Sequence, residues 1–560
     1  MMRVLCIFAM LCGLWDVAAA LDREAFTFTK YDLDVRLEPE QHRLGVRGKI
    51  TLRNDSSDSQ KDLALQISSS LDWRSIKSGG KPLPFVTEEY NSDLDHTGAF
   101  TEAIVNVPEV PSKGVIELEI GYEGVIPIAT TRLTRMDVPE GKAKHSDWDQ
   151  ISKSFTAVRG IGYVTWYPIA TEDASFSEGN SVAETIGRWQ AKEANAEMQV
   201  KFESTSSDAI FFSTSSLPAE HANSHAGKAA RFTIEGFGIT VPTFVMADYQ
   251  KLAAKDSVSV YYLSGQQAAA ESYGEVATQL DPLVPGGGGS GSLQVLGLPD
   301  ADAQPFVTNG MLLTPLLLPL SNEAELSMVY AKARQWVRSP RAWIEDGLAH
   351  YAQAELIEKQ KGRLAALDYL KAHATVLTEA EKPTSDKPGA QDATHSLITA
   401  PDDLYLQTKA MYVWWMLKDM LGRLPVDALV SYRAAEDQEI TYLERLIEKT
   451  SQRDLQWFFD DWVYHDRGLP DFRIDSVFSS PIATGGFLVT VAVENLGNAG
   501  AEVPVTLEVD GTQISKRLEV RAKSKASIRI PAPSPPQQVT LNDGSVPESN
   551  PGDHIYKTKG

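Results

Sequence analysis

Apolar side chains recur at every second position through much of the first half of this chain. Tyr31, Leu33, Val35 and Leu37 alternate with polar residues, as do Val46, Gly48, Ile50 and Leu52, and later Ile116, Leu118, Ile120 and Tyr122. A period of two sends neighbouring side chains to opposite faces, so each run predicts a strand with one buried face. The turns between them are rich in Gly, Asn, Ser and Pro, which favour chain reversal. Residues 21–246 are therefore expected to form an antiparallel β domain. Within it His221 and His225 stand four apart, but their Ser, Asn and Gly neighbours predict an exposed loop, not a metal-binding helix.

The period changes further on. Residues 247–470 are expected to be a middle α+β region, helical from about Glu323 to Arg467. A Gly/Ser run at 285–292 reads as a surface loop inside it. Arg363–Glu379 is amphipathic, and Leu404–Leu421 runs from a cap at Asp402-Asp403 to a stop at Gly422. Tyr412, Trp414 and Trp415 on that helix are expected to pack in the core. Beyond Asp471 alternation returns in Phe487, Val489, Val491 and Val493, and Asp510-Gly511 signals a hairpin. Residues 471–550 suit a small β-sandwich, with a polar, mobile tail at 551–560.

The stretch Met328–Tyr351 carries the candidate chemistry. It reads as two helical segments joined at Ser339-Pro340, because proline fixes φ and disfavours helix at the residue before it. The second segment, Trp343-Ile344-Glu345-Asp346-Gly347-Leu348-Ala349-His350-Tyr351, resembles the W-L-N-E-G-F-A-x-Y segment of the aminopeptidase N family, gluzincin zinc metallopeptidases. Gln335-Trp336 is similar to the end of that family's H-E-x-x-H-Q-W helix, and Phe458-Phe459-Asp460-Asp461-Trp462 through Gly468-Leu469-Pro470 is similar to its F-F-x-x-W…G-x-P ending. The chain thus looks like a divergent member with a degenerate site. The resemblance implies an α+β multidomain fold: an N-terminal antiparallel β domain, a thermolysin-like, mostly helical peptidase-like domain and a C-terminal β-sandwich.

It also implies a site, and this chain departs from it. Aligned on Gln335-Trp336, the family's His, Glu and His positions hold Tyr330, Ala331 and Arg334. In that chemistry two His four apart on one helix face bind zinc and the Glu takes a proton from the metal-bound water. A guanidinium has no lone pair to offer and a methyl group takes no proton. The third ligand position falls on Asp346, after a connection shorter than the family's; the amine-binding Glu position falls on Val307 and the oxyanion Tyr position on Gln407. Zinc, the cofactor the family would bring, is therefore not expected, and neither is aminopeptidase turnover. Arg334 and Asp346 are expected to form an ion pair where the metal would sit, with Glu345 as the next partner for the arginine.

Three functions follow. The first is a pseudoenzyme that binds a peptide or protein in the former cleft. The second is an active hydrolase rebuilt around Glu345, Asp346 and His350, of which 346 and 350 share a helix face. The third is a structural envelope protein.

Composition sets the compartment and the partners. Met1-Met2-Arg3, the apolar run Val4–Trp15 and Ala18-Ala19-Ala20 form a signal-peptide pattern over residues 1–20, which predicts a secreted or periplasmic protein. Both cysteines, Cys6 and Cys12, lie in that segment. The formal net charge of −22 repels phosphate backbones, so nucleic acid is not expected as a partner. No apolar run has the length of a membrane span, and Met311–Leu320, interrupted by two prolines, is expected to be a buried segment.

Overall fold

The computed structural model describes residues 21–558 apart from 179–180, 206–209, 215–218, 225–226, 239, 253–257, 281–292, 338, 381–395, 401–402, 466 and 484. The signal segment 1–20, His225, the Gly/Ser run at 285–292 and Asp402 thus lie outside the described residues. The described chain is a mixed α+β structure with six sheets.

The period-two runs become strands β1 (Phe26–Glu38), β2 (Arg43–Asn54) and β3 (Val115–Val125). Tyr31, Leu33, Val35, Leu37, Val46, Ile50, Leu52, Leu118 and Tyr122 are all buried, so the alternation reads the buried face correctly. These strands sit in an eight-stranded sheet with β4 (Glu197–Ser204), β5 (Ala219–Ser224) and β6 (Gly227–Ile234). Two expectations need correction. The sheet is not wholly antiparallel, because β1 pairs β4 in parallel, Tyr31 opposite Met198 and Val35 opposite Phe202. His221 lies on β5, which pairs antiparallel with β6, rather than in a loop. Backbone pairing to an existing edge outweighs the polar composition of that segment.

The middle region opens on a second mixed sheet. Its five strands are the short edge strand Gln250–Lys251, β7 (Val258–Tyr262), β8 (Leu293–Leu298), β9 (Phe306–Thr308) and β10 (Met311–Pro315). β7, β8 and β10 run parallel, while β9 closes one edge antiparallel to β10. Met311–Pro315 is buried as expected, but Leu317 and Leu318 beyond it are exposed. Trp148, Phe155, Phe212 and Val245 pack with Leu296, Leu298, Met311 and Leu313 in a core shared between this sheet and the N-terminal strands.

Helices follow, among them α1 (Asn322–Ala333), α2 (Ala342–Lys361), α3 (Arg363–His373) and α4 (Asp403–Leu421). Tyr412, Trp414 and Trp415 of α4 are fully buried, which supports their reading as core. α2 meets α4 at Gly347, where an added Cβ would lie 2.6 Å from Ala410 Cβ and 3.1 Å from Trp414 Cδ1. Only glycine permits that approach. Trp414 donates its indole N–H to the Trp343 carbonyl at 3.1 Å, and the two rings stack 5.7 Å apart.

The C-terminal strands form two sheets, Phe472–Pro481, Phe487–Asn495 and Lys525–Ala532 in one, and Ala501–Val509, Thr512–Val520, Gln538–Leu541 and Ile555–Lys557 in the other. Asp510 and Gly511 turn the hairpin with positive φ, as their sequence predicts. The expected mobile tail is instead partly ordered. Ile555–Lys557 adds an edge strand to Gln538–Leu541, because Ile and Tyr suit a strand and an unpaired edge is at hand.

Candidate functional site

Ser321 caps α1 by accepting the Ala324 N–H at 3.1 Å, and the helix ends at Ala333. The chain reverses and re-enters as α2 at Ala342, so α1 and α2 form an antiparallel pair. The turn is tied down twice. Ser339 donates its N–H to Glu345 Oε2 at 3.2 Å and shares a 2.8 Å hydroxyl contact with Tyr432, while Arg341 Nε holds both oxygens of Asp437 at 2.8 and 2.9 Å. Register across the pair is marked by Gln353, whose amide donates to the Leu326 carbonyl at 3.1 Å.

This register brings Tyr330, Asp346 and His350 together. Tyr330 donates its hydroxyl to Asp346 Oδ1, and its ring lies 4.8 Å from the His350 ring. His350 Nε2 faces Asp346 Oδ2 at 3.6 Å. The imidazole tautomer follows from its other side. Gln353 spends its amide on Leu326, so its Oε1 is the atom facing His350 Nδ1 at 3.0 Å, and it also accepts from Tyr369 at 3.1 Å. An acceptor there requires the proton on Nδ1. The Nε2 lone pair therefore points at the carboxylate, and Nε2 has no hydrogen-bond partner among the described residues. Burial lowers the His350 pKa below its ordinary value, with Asp346 opposing the shift.

The ion pair expected between Arg334 and Asp346 is not the one formed. Arg334 lies in the turn after Ala333, and its Nε reaches Glu345 Oε1 at 3.5 Å. Asp346 Oδ1 is already occupied by Tyr330. Glu345 and Asp346 are about 100° apart around α2, so the two carboxylates serve different neighbours.

The other site positions are placed as follows. Ala331 is buried in the core that also holds Met328 and Val329. Val307 lies on the edge strand β9 and packs against that same core, as Tyr330 does. Gln407 is half-buried on α4. Lys409 is buried on α4 and donates to the hydroxyl of Tyr405, one turn earlier on the same face, at 2.8 Å.

Zinc would need several lone-pair donors converging on one point. Tyr330 is committed as a donor to Asp346, Arg334 carries no lone pair, and Ala331 offers no base. Asp346 and His350 alone remain, so the donor set does not fit the zinc that the sequence resemblance implies. Gln353 and Tyr369, which fix the imidazole, were not legible as site residues. The i, i+3 spacing of His350 and Gln353 is visible in the sequence; Tyr369 comes from α3 and leaves no local signal. One group of a His and two carboxylates does come together elsewhere, at His145, Asp300 and Asp302.

No family model matches the chain, and no curated protein matches it. Among solved structures it is similar to an M1 zinc metallopeptidase from Deinococcus radiodurans, a mutant bound to a Tyr-Ser-Ala substrate. The identity is 14% and the TM-score 0.47, over 79% of this chain and 95% of that one.

Proposed function

We propose that this chain is a binding protein on a peptidase-like frame, taking a peptide segment in the cleft beside α1 and α2 without zinc-dependent hydrolysis. One observation carries the reading: the carboxylate at the third-ligand position is held by a tyrosine hydroxyl from the position of a metal-binding histidine. Tyr330 thereby closes, with a neutral donor, the place a dication would have to enter. The edge strand β9 supports a peptide as the occupant, because an extended segment adds to a sheet edge through main-chain hydrogen bonds. Val307 in place of a carboxylate removes the charge that would hold a free amine, so internal segments or capped peptides are preferred over free N-termini.

The test pairs two measurements on the purified chain. Aminoacyl fluorophore substrates are expected to remain intact, and defined extended peptides blocked at the N-terminus are expected to bind by titration calorimetry. Chelator-sensitive fluorophore release that disappears in Asp346→Asn would overturn the reading. It would promote the second one, a hydrolase rebuilt on Asp346 and His350, which the partner-free Nε2 of His350 favours.

A further inference from the structure

The helix Ser181–Lys192 joins two parts of the fold. Val182 and Trp189 pack into the core of the N-terminal sheet, and the helix also touches α4. Its last turn continues into Glu193, whose N–H bonds the Trp189 carbonyl at 2.9 Å. Positions 189, 192 and 193 are therefore i, i+3 and i+4, and their side chains leave the helix on one face. Trp189 Nε1, Lys192 Nζ and Glu193 Oε2 are all buried, and none of the three has a hydrogen-bond partner among the described residues. The ammonium and the carboxyl are neighbours in sequence, yet they bond neither each other nor the indole.

What faces Glu193 does not neutralise it. Tyr31 of β1 spends its hydroxyl on the Pro168 carbonyl at 3.1 Å. Arg53 near the end of β2 is held by Asp55 at 2.7 and 2.8 Å, and Asp55 adds a second negative charge to the surroundings. Tyr167 accepts the Ile161 N–H at 3.3 Å. Lys192 and the backbone N–H of Phe28 favour the anion, but burial outweighs both. Lys192 itself faces Asp22, Glu24 and Asp55, and burial still lowers its pKa. A carboxylate that is 1% exposed and lacks a donor on one oxygen is costly, whereas the neutral acid needs far less solvation. Burial thus pushes the Glu193 carboxyl from 4.5 up to about 8.

We propose that Glu193 is a proton-held clasp: as a neutral acid it lets the end of the helix Ser181–Lys192 lie against the N-terminal sheet, and loss of that proton to solvent releases the helix end. Opening exposes the carboxyl, which then ionises as an ordinary glutamate does. Between the exposed value of 4.5 and the buried value of about 8, each opening sheds one proton, so rising pH favours the open form. Lys192 has the opposite sign. Its pKa is lowered by burial, so an opening controlled by Lys192 takes up a proton and is favoured by falling pH. The direction of the response therefore identifies the group. Because the helix also touches α4, the clasp bears on the element that carries Gln407.

Hydrogen exchange of the full chain, read by mass spectrometry on peptides covering 186–196 and corrected for the intrinsic exchange rate, tests the clasp. Protection in these peptides is expected to fall about tenfold between about pH 6 and about pH 7, while peptides from α2 show no such fall. Glu193→Gln keeps a neutral group of the same shape and is expected to remove the fall. Lys192→Met removes the opposing cation and is expected to leave the fall in place, extended to higher pH. Protection that stays flat or rises with pH in the unmodified chain would overturn the proposal, with no variant needed. So would a fall that survives Glu193→Gln, one that Lys192→Met abolishes, or one that α2 shares equally.

Discussion

Asp346 is a nearly buried carboxylate whose neighbours decide what it can bind. The Tyr330 hydroxyl satisfies one oxygen, and hydrogen bonds to charged groups contribute more than neutral ones. Tyr330→Phe is expected to destabilise the protein by about 1–3 kcal/mol, because it leaves a buried anion short of a donor. Urea denaturation reads this directly. Tyr330→Phe with Asp346→Leu should cost less than the two single changes added together, since the second removes what the first leaves unsatisfied. His350 gives a pH signature. Its folded pKa lies below the ordinary 6.5, so the unfolded chain binds the proton more readily. Stability is therefore complete above that value and declines as pH falls below it. His350→Gln should flatten this part of the stability profile, measured as the denaturation midpoint against pH. An unchanged slope would assign the acid sensitivity to other groups.

At the scale of elements, helix α2 and its partners were legible because each is marked by residues that do a local job. Trp343, Gly347 and Tyr351 stand at spacings that place them on the faces toward α4 and the core, and the structure buries the two aromatic residues and packs Gly347 against Ala410. Gly347→Ala is expected to cost about 1–3 kcal/mol by overpacking, with a lowered urea midpoint as the readout. What local pattern could not show is which element a strand joins and in which direction. Alternation in Tyr31–Leu37 reports a buried face equally well for parallel and antiparallel neighbours, so the parallel pairing of β1 with β4 was invisible. The strand β5 was missed for a related reason, since its Ala, Glu, His, Asn and Ser are held by pairing to β6. The site divides in the same way. Asp346 and His350 share a helix face, which spacing predicts, whereas the choice between Arg334 and Tyr330 as partner of Asp346 depends on where α1 ends.

On the scale of the whole molecule, one hydrophobic core runs from the helices into the C-terminal sheets. Phe458, Trp462 and Leu469 pack with Val489, Val503 and Leu541, and Trp462 donates to the Gly500 carbonyl at 2.7 Å. Ion pairs cross the same boundary, with Arg363 joining Asp419 at 2.7 Å to Asp543 at 3.1 Å, and Arg517 reaching Asp419 at 3.1 Å. A continuous core of this kind predicts that 322–558 unfolds in one transition; calorimetry resolving a separate transition for the sandwich would contradict it. The central claim of the proposed function concerns the group that this framework holds: Tyr330 closes Asp346 to a metal ion by its hydroxyl hydrogen bond. Anomalous scattering at the zinc edge, from crystals of the full chain grown with zinc, tests it most directly. The account predicts no zinc density among Tyr330, Asp346 and His350. A zinc peak bonded to Asp346 and His350, with the Tyr330 hydroxyl displaced, would contradict it.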